Sequence, residues 1–141
     1  LWTSSYDEQW GSDWVQWCLS ENFKSNPFDS WLLIPKSSAR VYVIDSLAAL
    51  QTLLDYRGVE WKLSSAAFSE IGPDFKTLAE EIDGIQLTQE GQWETRFSRP
   101  GLYGWDCEST LWLRWAFESV QYLGGKTWPL RGKRGDGCDA S

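Results

Sequence analysis

Short strands and helices follow one another in no regular order along this chain, and that irregularity restricts its fold more than any other feature. A β-branched strand at Arg40–Asp45 leads into a helix that Ser46 caps and that ends near Gly58. A doubly wound parallel sheet would need regular alternation and a glycine-rich turn after its first strand, and the sequence has neither. The sequence therefore predicts an α+β fold, a single domain with a strongly bent, antiparallel-rich sheet and about three helices.

The remaining elements are predicted from caps, apolar spacing and turn residues. Ser12 caps a helix at Asp13–Ser20, and Gly72-Pro73-Asp74 opens a third helix. The other predicted strands are residues 1–9, Trp31–Ile34, Val59–Leu63, Ile85–Thr88, Gln92–Phe97, Thr110–Phe117 and Val120–Leu123, with a hairpin turn at Glu90-Gly91. This organisation assigns residues 1–125 to the domain and residues 126–141 to a basic, glycine-rich and flexible tail.

The charge and the cysteine content exclude several classes of function. The chain has 13 Lys and Arg against 20 Asp and Glu, a net charge of -7, and no His. Nucleic acid is disfavoured as the main partner because a duplex-binding protein presents a basic face. Cys18, Cys107 and Cys138 are odd in number and widely spaced, which favours free thiols in a reducing, cytoplasmic compartment. We expect no metal site without His or a Cys-x-x-Cys pair, and no membrane span without a long apolar run.

Tryptophan is unusually frequent, with 11 in 141 residues. Those at regular spacing are predicted to be core residues, namely Trp10, Trp14 and Trp17 on the first helix and Trp112 or Trp115 on the late strand. Four others lie near turns or chain ends, where an indole either packs or stacks on a planar or sugar ligand: Trp2, Trp93, Trp105 and Trp128. Tryptophan therefore indicates both a large aromatic core and a candidate binding surface.

An acidic turn runs directly into an apolar strand at Tyr103–Trp115. Because the chain has no His, chemistry would depend on carboxylates, hydroxyls or thiols, and Glu108 is the first candidate. Asp106 lies two residues earlier, so in an extended segment both carboxylates face one cleft. The alternative for the pair is a solvated acidic turn. Cys107 has no imidazole to activate it and is predicted to be a small apolar filler.

The order of four motifs resembles that of ADP-ribosyltransferase domains. Leu1-Trp2-Thr3-Ser4-Ser5 resembles the opening strand of the family, and Arg40–Leu54 resembles the strand-then-helix unit of its bacterial and phage members. Ile82–Leu87 resembles the Asp-Gly strand, and Glu108–Trp112 resembles the final strand with its glutamate. The resemblance covers most of residues 1–117. Members usually carry an Arg or His on the first strand. Here either Trp2, Thr3 or Ser4 stands at that place, or the residue lies upstream of Leu1.

The resemblance implies a mono-ADP-ribosyltransferase, a toxin or a phage effector, that uses NAD to modify a macromolecular target. Glu108 would stabilise the positive charge on the ribose, and Asp106 would orient the nucleophile. The residues that would bind NAD or hold the glutamate are Trp2, Thr3, Ser4, Ser5, Trp105 and Ser109, with the two tryptophans stacking on a nicotinamide or adenine ring.

Two other functions fit the same residues. An acidic, aromatic-rich surface also suits a non-catalytic module that binds a basic protein, either a degenerate transferase fold or a phage-type inhibitor. A glycosidase-like use of Asp106 and Glu108 would need carboxyl groups about 5–10 Å apart across a cleft. Two residues so close in sequence are expected on one side of a cleft, which makes this the weakest of the three.

Overall fold

The computed structural model describes residues 1–62 and 69–132, in which the chain forms four helices and ten strands. The helices are α1 (Asp13–Ser20), α2 (Leu47–Arg57), α3 (Phe75–Glu81) and α4 (Gln89–Thr95). The strands are β1 (Trp2–Thr3), β2 (Tyr6–Asp7), β3 (Gly11–Ser12), β4 (Phe28–Pro35), β5 (Val41–Ile44), β6 (Gly58–Lys62), β7 (Ser69–Pro73), β8 (Gly84–Leu87), β9 (Ser109–Trp112) and β10 (Phe117–Lys126). The molecule is a small, single α+β domain, as its sequence predicts. None of the described helices is long and apolar enough to cross a membrane.

The central sheet has the strand order β1-β9-β8-β5. Strand β8 runs parallel to β5 and antiparallel to β9, and β9 in turn runs antiparallel to β1. Thr3 pairs with Thr110, so the start of the chain lies beside the strand that follows Glu108. The other strands in the described residues form three two-stranded ribbons, β4-β10, β2-β3 and β6-β7, rather than extending one bent sheet as predicted.

The main core lies between the central sheet and α2. Ile44, Ile85 and Leu87 from the sheet are fully buried, and Leu50 and Leu53 of α2 join them. Burying each such side chain contributes about 1.5–3 kcal/mol to folding. This packing fixes β8 and β9, and with them the turn that carries Glu108.

Helix α1 begins and ends as its sequence predicts, but it packs by a different face. The Ser12 hydroxyl accepts a hydrogen bond from the Val15 amide at 3.3 Å, which caps the helix. The buried residues of α1 are Val15 and Cys18, which belong to a second cluster with Phe28 and Trp128. The prediction of Trp14 as a core residue is wrong, because this residue is 43% exposed.

The late strand is shorter than predicted, and this separates its two tryptophans. Strand β9 ends at Trp112, which is buried, and the chain turns before β10 begins at Phe117. Trp115 lies in that turn and is 65% exposed, so only Trp112 is a core residue. Strand β10 then continues to Lys126, beyond the predicted end at Leu123.

The predicted hairpin at Glu90-Gly91 is wrong, because these residues lie within helix α4. The Thr88 hydroxyl accepts a hydrogen bond from the Gly91 amide at 3.1 Å and so caps a helix at the position where the turn was expected. Strand β8 pairs with β5 on one edge and with β9 on the other. A strand at Gln92–Phe97 would therefore have no free edge of β8 to join.

The segment predicted as a tail begins inside the fold. Lys126 is the last residue of β10, and Trp128 is buried against α1. Residues 133–141, including Cys138, lie outside the described residues. Cys18 and Cys107 are free thiols.

Asp83 lies in the turn before Gly84, as its sequence position suggests, and it also contacts two other segments of the domain, at Arg40 and at Arg114. Its carboxylate accepts a hydrogen bond from the Arg40 amide at 2.7 Å and pairs with the Arg114 guanidinium at 2.7 Å. The bond from Arg40 and the charge of Arg114 hold the pKa of Asp83 below its ordinary value. A lowered folded pKa means that the carboxylate stabilises the fold above its unfolded pKa, and that this contribution is lost as the pH falls through the folded pKa.

Replacing Asp83 by Asn is expected to lower the free energy of unfolding by about 1–2 kcal/mol at pH 7, because it removes the charge from both contacts. The difference from the wild type should shrink as the pH is lowered from about 4. Urea unfolding at pH 7 and at a pH below about 4 measures both effects, with Asp55→Asn on an exposed position of α2 as the control. Equal stability of wild type and Asp83→Asn at pH 7 would contradict the stabilising role of the Asp83 carboxylate.

Candidate functional site

The Glu108 carboxylate is held at both oxygens by the first residues of the chain. Oε2 accepts hydrogen bonds from the Ser4 hydroxyl at 3.0 Å and the Ser5 amide at 2.9 Å. Oε1 accepts from the Ser5 hydroxyl at 2.9 Å and from Nε2 of Gln86 at 3.3 Å. The pairing of β1 with β9 produces this arrangement, because it ends with Thr3 opposite Thr110 and so brings the next residues, Ser4 and Ser5, close to Glu108. A carboxylate fixed in this way is oriented before any ligand arrives.

Ser4 links this carboxylate to α1. Its hydroxyl also lies 2.9 Å from the carbonyl oxygen of Glu108, which is a second acceptor for the same proton. The Ser4 oxygen in turn accepts a hydrogen bond from the Trp14 amide in the first turn of α1, at 3.3 Å. The glutamate is therefore tied to a helix as well as to the strand ends.

A cleft of about 290 Å³ opens beside the acidic turn. One wall is α1, the second is α4, and the turn residues Asp106, Cys107 and Glu108 lie between them, with Leu130 and Arg131 at the rim. This volume is at the lower end of the range for small-molecule sites. Asp106 and Glu108 thus line the same cleft, as their spacing predicts.

Both helices face the cleft with residues at the same helical spacing. The stripe on α1 is Asp13, Gln16, Trp17 and Ser20, and the stripe on α4, extended by one residue past its end, is Gln89, Gln92, Trp93 and Arg96. Each stripe repeats at i, i+3, i+4 and i+7, the pattern of one helix face. A mixed polar and tryptophan stripe on two helices is therefore the sequence signal that could have identified these residues.

The cleft combines three carboxylates with two guanidinium groups, those of Arg96 and Arg131. Burial raises the pKa of Asp13 above its ordinary value, the Arg131 guanidinium opposes that rise, and the negative charge of Glu108 adds to it. Asp13 and Glu108 therefore interact electrostatically across the cleft, and negative charge is concentrated around the glutamate.

Cys107 lies between the two acidic residues but is not an activated nucleophile. Burial, together with the charges of Asp13, Glu108 and Asp106, raises the pKa of its thiol to about 12. The thiol is therefore protonated near neutral pH and lacks the thiolate character that nucleophilic catalysis needs.

Three more of the predicted site residues, Asp106, Thr3 and Ser109, make hydrogen bonds that do not involve the Glu108 carboxylate. The Asp106 carbonyl oxygen accepts a hydrogen bond from Nε2 of Gln92 at 3.4 Å, which joins the acidic turn to α4. Thr3 accepts a hydrogen bond from the indole N–H of Trp112 at 2.9 Å. Ser109 donates to the carbonyl oxygen of Cys107 at 3.2 Å rather than to the Glu108 carboxylate. Thr3 and Ser109 thus shape the strand ends around Glu108.

The two tryptophans predicted to stack on NAD pack against each other. The rings of Trp2 and Trp105 meet edge to face with centroids 4.7 Å apart, and Trp105 is only 8% exposed within the main core. Neither lines the cleft. The aromatic rings that do line it are Trp17 and Trp93, and the Trp93 side chain is 66% exposed.

In the part of the chain that the structure describes, no three Cys, Asp or Glu side chains are grouped as ligands of a metal ion. Comparison of the chain with family models, curated proteins and solved structures finds no match.

Proposed function

We propose that this protein is a mono-ADP-ribosyltransferase-like enzyme, of the toxin or phage-effector type, that uses NAD as substrate to modify a macromolecular target. The observation that carries the proposal is the Glu108 carboxylate, held by Ser4 and Ser5 at the edge of a cleft. Residues 1–5 and 108–112 are the two segments whose motifs resemble the first and last strands of that family. Their direct contact supports a common site.

The residues of the cleft suit the ribose end of NAD. A fixed carboxylate stabilises the positive charge that develops on a ribose carbon as its bond to a leaving group breaks. Trp17, on which Trp14 stacks, and Trp93 line the cleft and offer aromatic surface for a planar ring. Asp106 lies in the same cleft, where a carboxylate would orient the group that attacks.

The proposal is tested by incubating the protein with NAD and measuring free nicotinamide by chromatography. We expect nicotinamide release together with a change in the intrinsic fluorescence, to which 11 tryptophans contribute. A protein that neither releases nicotinamide nor changes its fluorescence at millimolar NAD would contradict the proposal.

A second candidate, the non-catalytic binding module, is favoured by exposed aromatic residues away from the cleft. Trp31 and Tyr122 pair across the β4-β10 ribbon with ring centroids 4.6 Å apart and are 59% and 53% exposed. With a net charge of -7, such a surface suits a basic protein partner. This function would give tight, salt-sensitive association with a basic protein and no response to NAD.

A further inference from the structure

The segment after β10, residues 127–132, is fixed along α1. Trp128 is 7% exposed and packs in the cluster of Val15, Cys18 and Phe28. The Asn26 side chain holds the same residue at both backbone groups, since its amide donates to the Trp128 carbonyl at 2.8 Å and its oxygen accepts from the Trp128 amide at 3.0 Å. The segment therefore has a defined path up to the rim of the cleft.

Gln16, on the cleft-facing stripe of α1, fixes the next residues. Its Nε2 donates to the Pro129 carbonyl at 3.0 Å and to the Trp10 carbonyl at 2.7 Å. Its Oε1 accepts from the Arg131 amide at 2.7 Å. One side chain thus holds the backbone on both sides of Leu130 and presents the Arg131 side chain to the cleft.

The Arg131 guanidinium is placed in the cleft but is only weakly engaged by its acidic neighbour. It lies 3.6 Å from the Asp13 carboxylate and 5.7 Å from the centroid of the Trp10 ring, with 39% of the side chain exposed. A well-formed charge-assisted hydrogen bond measures about 2.7–2.9 Å, so Asp13 does not saturate the guanidinium fork. That fork matches phosphate oxygens in a bidentate arrangement.

The cleft holds charges of both signs. Its carboxylates are Asp13, Asp106 and Glu108, and its cations are Arg96 at the end of α4 and Arg131, which the C-terminal segment supplies. A ligand with a phosphoryl group would place that group against a guanidinium, and Arg131 is the one whose backbone Gln16 fixes beside the cleft. The Asp13 carboxylate, which already lies beside Arg131, would compete with the phosphoryl group for the guanidinium.

We infer that Arg131 binds a phosphoryl group of the ligand that occupies the Glu108 cleft, and that this ligand is a nucleotide carrying a diphosphate. The inference rests on the proposed function for the identity of the nucleotide, while the phosphate contact rests on the geometry of Arg131 alone. Residues 127–132 are then part of the binding site.

Calorimetric titration of the full chain with ADP and with inorganic pyrophosphate tests this inference. Arg131→Ala is expected to weaken the binding of both probes by about tenfold, the worth of one charge-assisted contact. Arg131→Lys should retain part of the affinity because it keeps the charge but loses the fork. Asp13→Asn should strengthen binding because it removes the competing carboxylate. Arg99→Ala removes the same charge from an exposed position outside the cleft and should change nothing.

If Arg131→Ala does not fold, the other two cleft variants still test the inference. In that case Asp13→Asn must still tighten binding and Arg131→Lys must still weaken it. Equal affinity of the wild type and the Arg131 variants would overturn the inference. So would equal losses in Arg131→Ala and Arg99→Ala, or no binding of either probe at millimolar concentration.

The two proposals fail in different ways. Binding of ADP that depends on Arg131, without any nicotinamide release, would support the phosphate contact and contradict the transferase function. Nicotinamide release with the same KM in wild type and Arg131→Ala would support the transferase and contradict the phosphate contact. If pyrophosphate binds as tightly as ADP, the phosphate contact is supported, but the assignment of the ligand as a nucleotide is overturned.

Discussion

Replacing Glu108 by Gln is expected to reduce the rate of nicotinamide release from NAD by about 10²–10³-fold while the fold persists. Glutamine has the same shape, so the Ser4 and Gln86 side chains still surround the position. It carries no negative charge, however, and cannot offset the positive charge that develops on the ribose. The loss should fall on kcat, since the interaction is made mainly in the transition state.

The matched control for this variant is Glu90→Gln. Glu90 is exposed on α4 and does not line the cleft, so its replacement removes the same charge without touching the site. Thermal unfolding of both variants checks that they fold. Unchanged nicotinamide release by Glu108→Gln, or an equal loss in Glu90→Gln, would show that Glu108 has no catalytic role.

Gly91→Ala is expected to lower the free energy of unfolding by about 3 kcal/mol, because Gly91 has the closest backbone obstacle to a Cβ among the glycines that the structure describes. A Cβ at this position would overlap the carbonyl oxygen and carbon of Ile44, which are backbone atoms of the buried last residue of β5. A backbone obstacle cannot rotate aside as a side chain can. Helix α4 would have to move, and with it Gln92, Trp93 and Arg96 on the wall of the cleft.

Urea unfolding measures this effect, with Gly104→Ala as the control. A Cβ at Gly104 would meet no atom within 4 Å, so that variant should be as stable as the wild type or slightly more so. Equal unfolding midpoints for Gly91→Ala and the wild type would show that α4 does not sit against β5 as described.

The helix boundaries that follow from local signals could be predicted from the sequence. Ser12, Ser46 and Asp74 each accept a hydrogen bond from the amide three residues ahead, and each opens a helix where its sequence position suggests. Helix α4 could not be predicted in this way, because Glu90-Gly91 reads as a hairpin turn. Only the pairing of β8 on both edges, a contact between distant segments, excludes that turn.

The candidate site, too, could be predicted only where it follows from the sequence motifs and not where it depends on contacts between distant segments. The contact of Ser4 and Ser5 with Glu108 was expected as one of two roles for these serines, from the order of the motifs. Trp93 is one of the four tryptophans predicted either to pack or to stack on a ligand. The place of Trp17 in the lining could not be predicted, because the face that α1 buries depends on Trp128, more than a hundred residues away in sequence. Val15 and Cys18 are buried in the cluster with that indole, whereas Trp17 is only partly buried against the cluster and also lines the cleft.

The most direct test of the central claim is an NMR titration of the protein with NAD that follows the indole N–H signals, assigned by single Trp→Phe replacements. If the Glu108 cleft binds NAD, the signals of Trp17 and Trp93 should shift in a saturable way. Those of Trp31 on β4 and Trp61 on β6, which do not line the cleft, should stay in place. Shifts confined to Trp31 or Trp61, or none at millimolar NAD, would contradict the claim that this cleft is a nucleotide site.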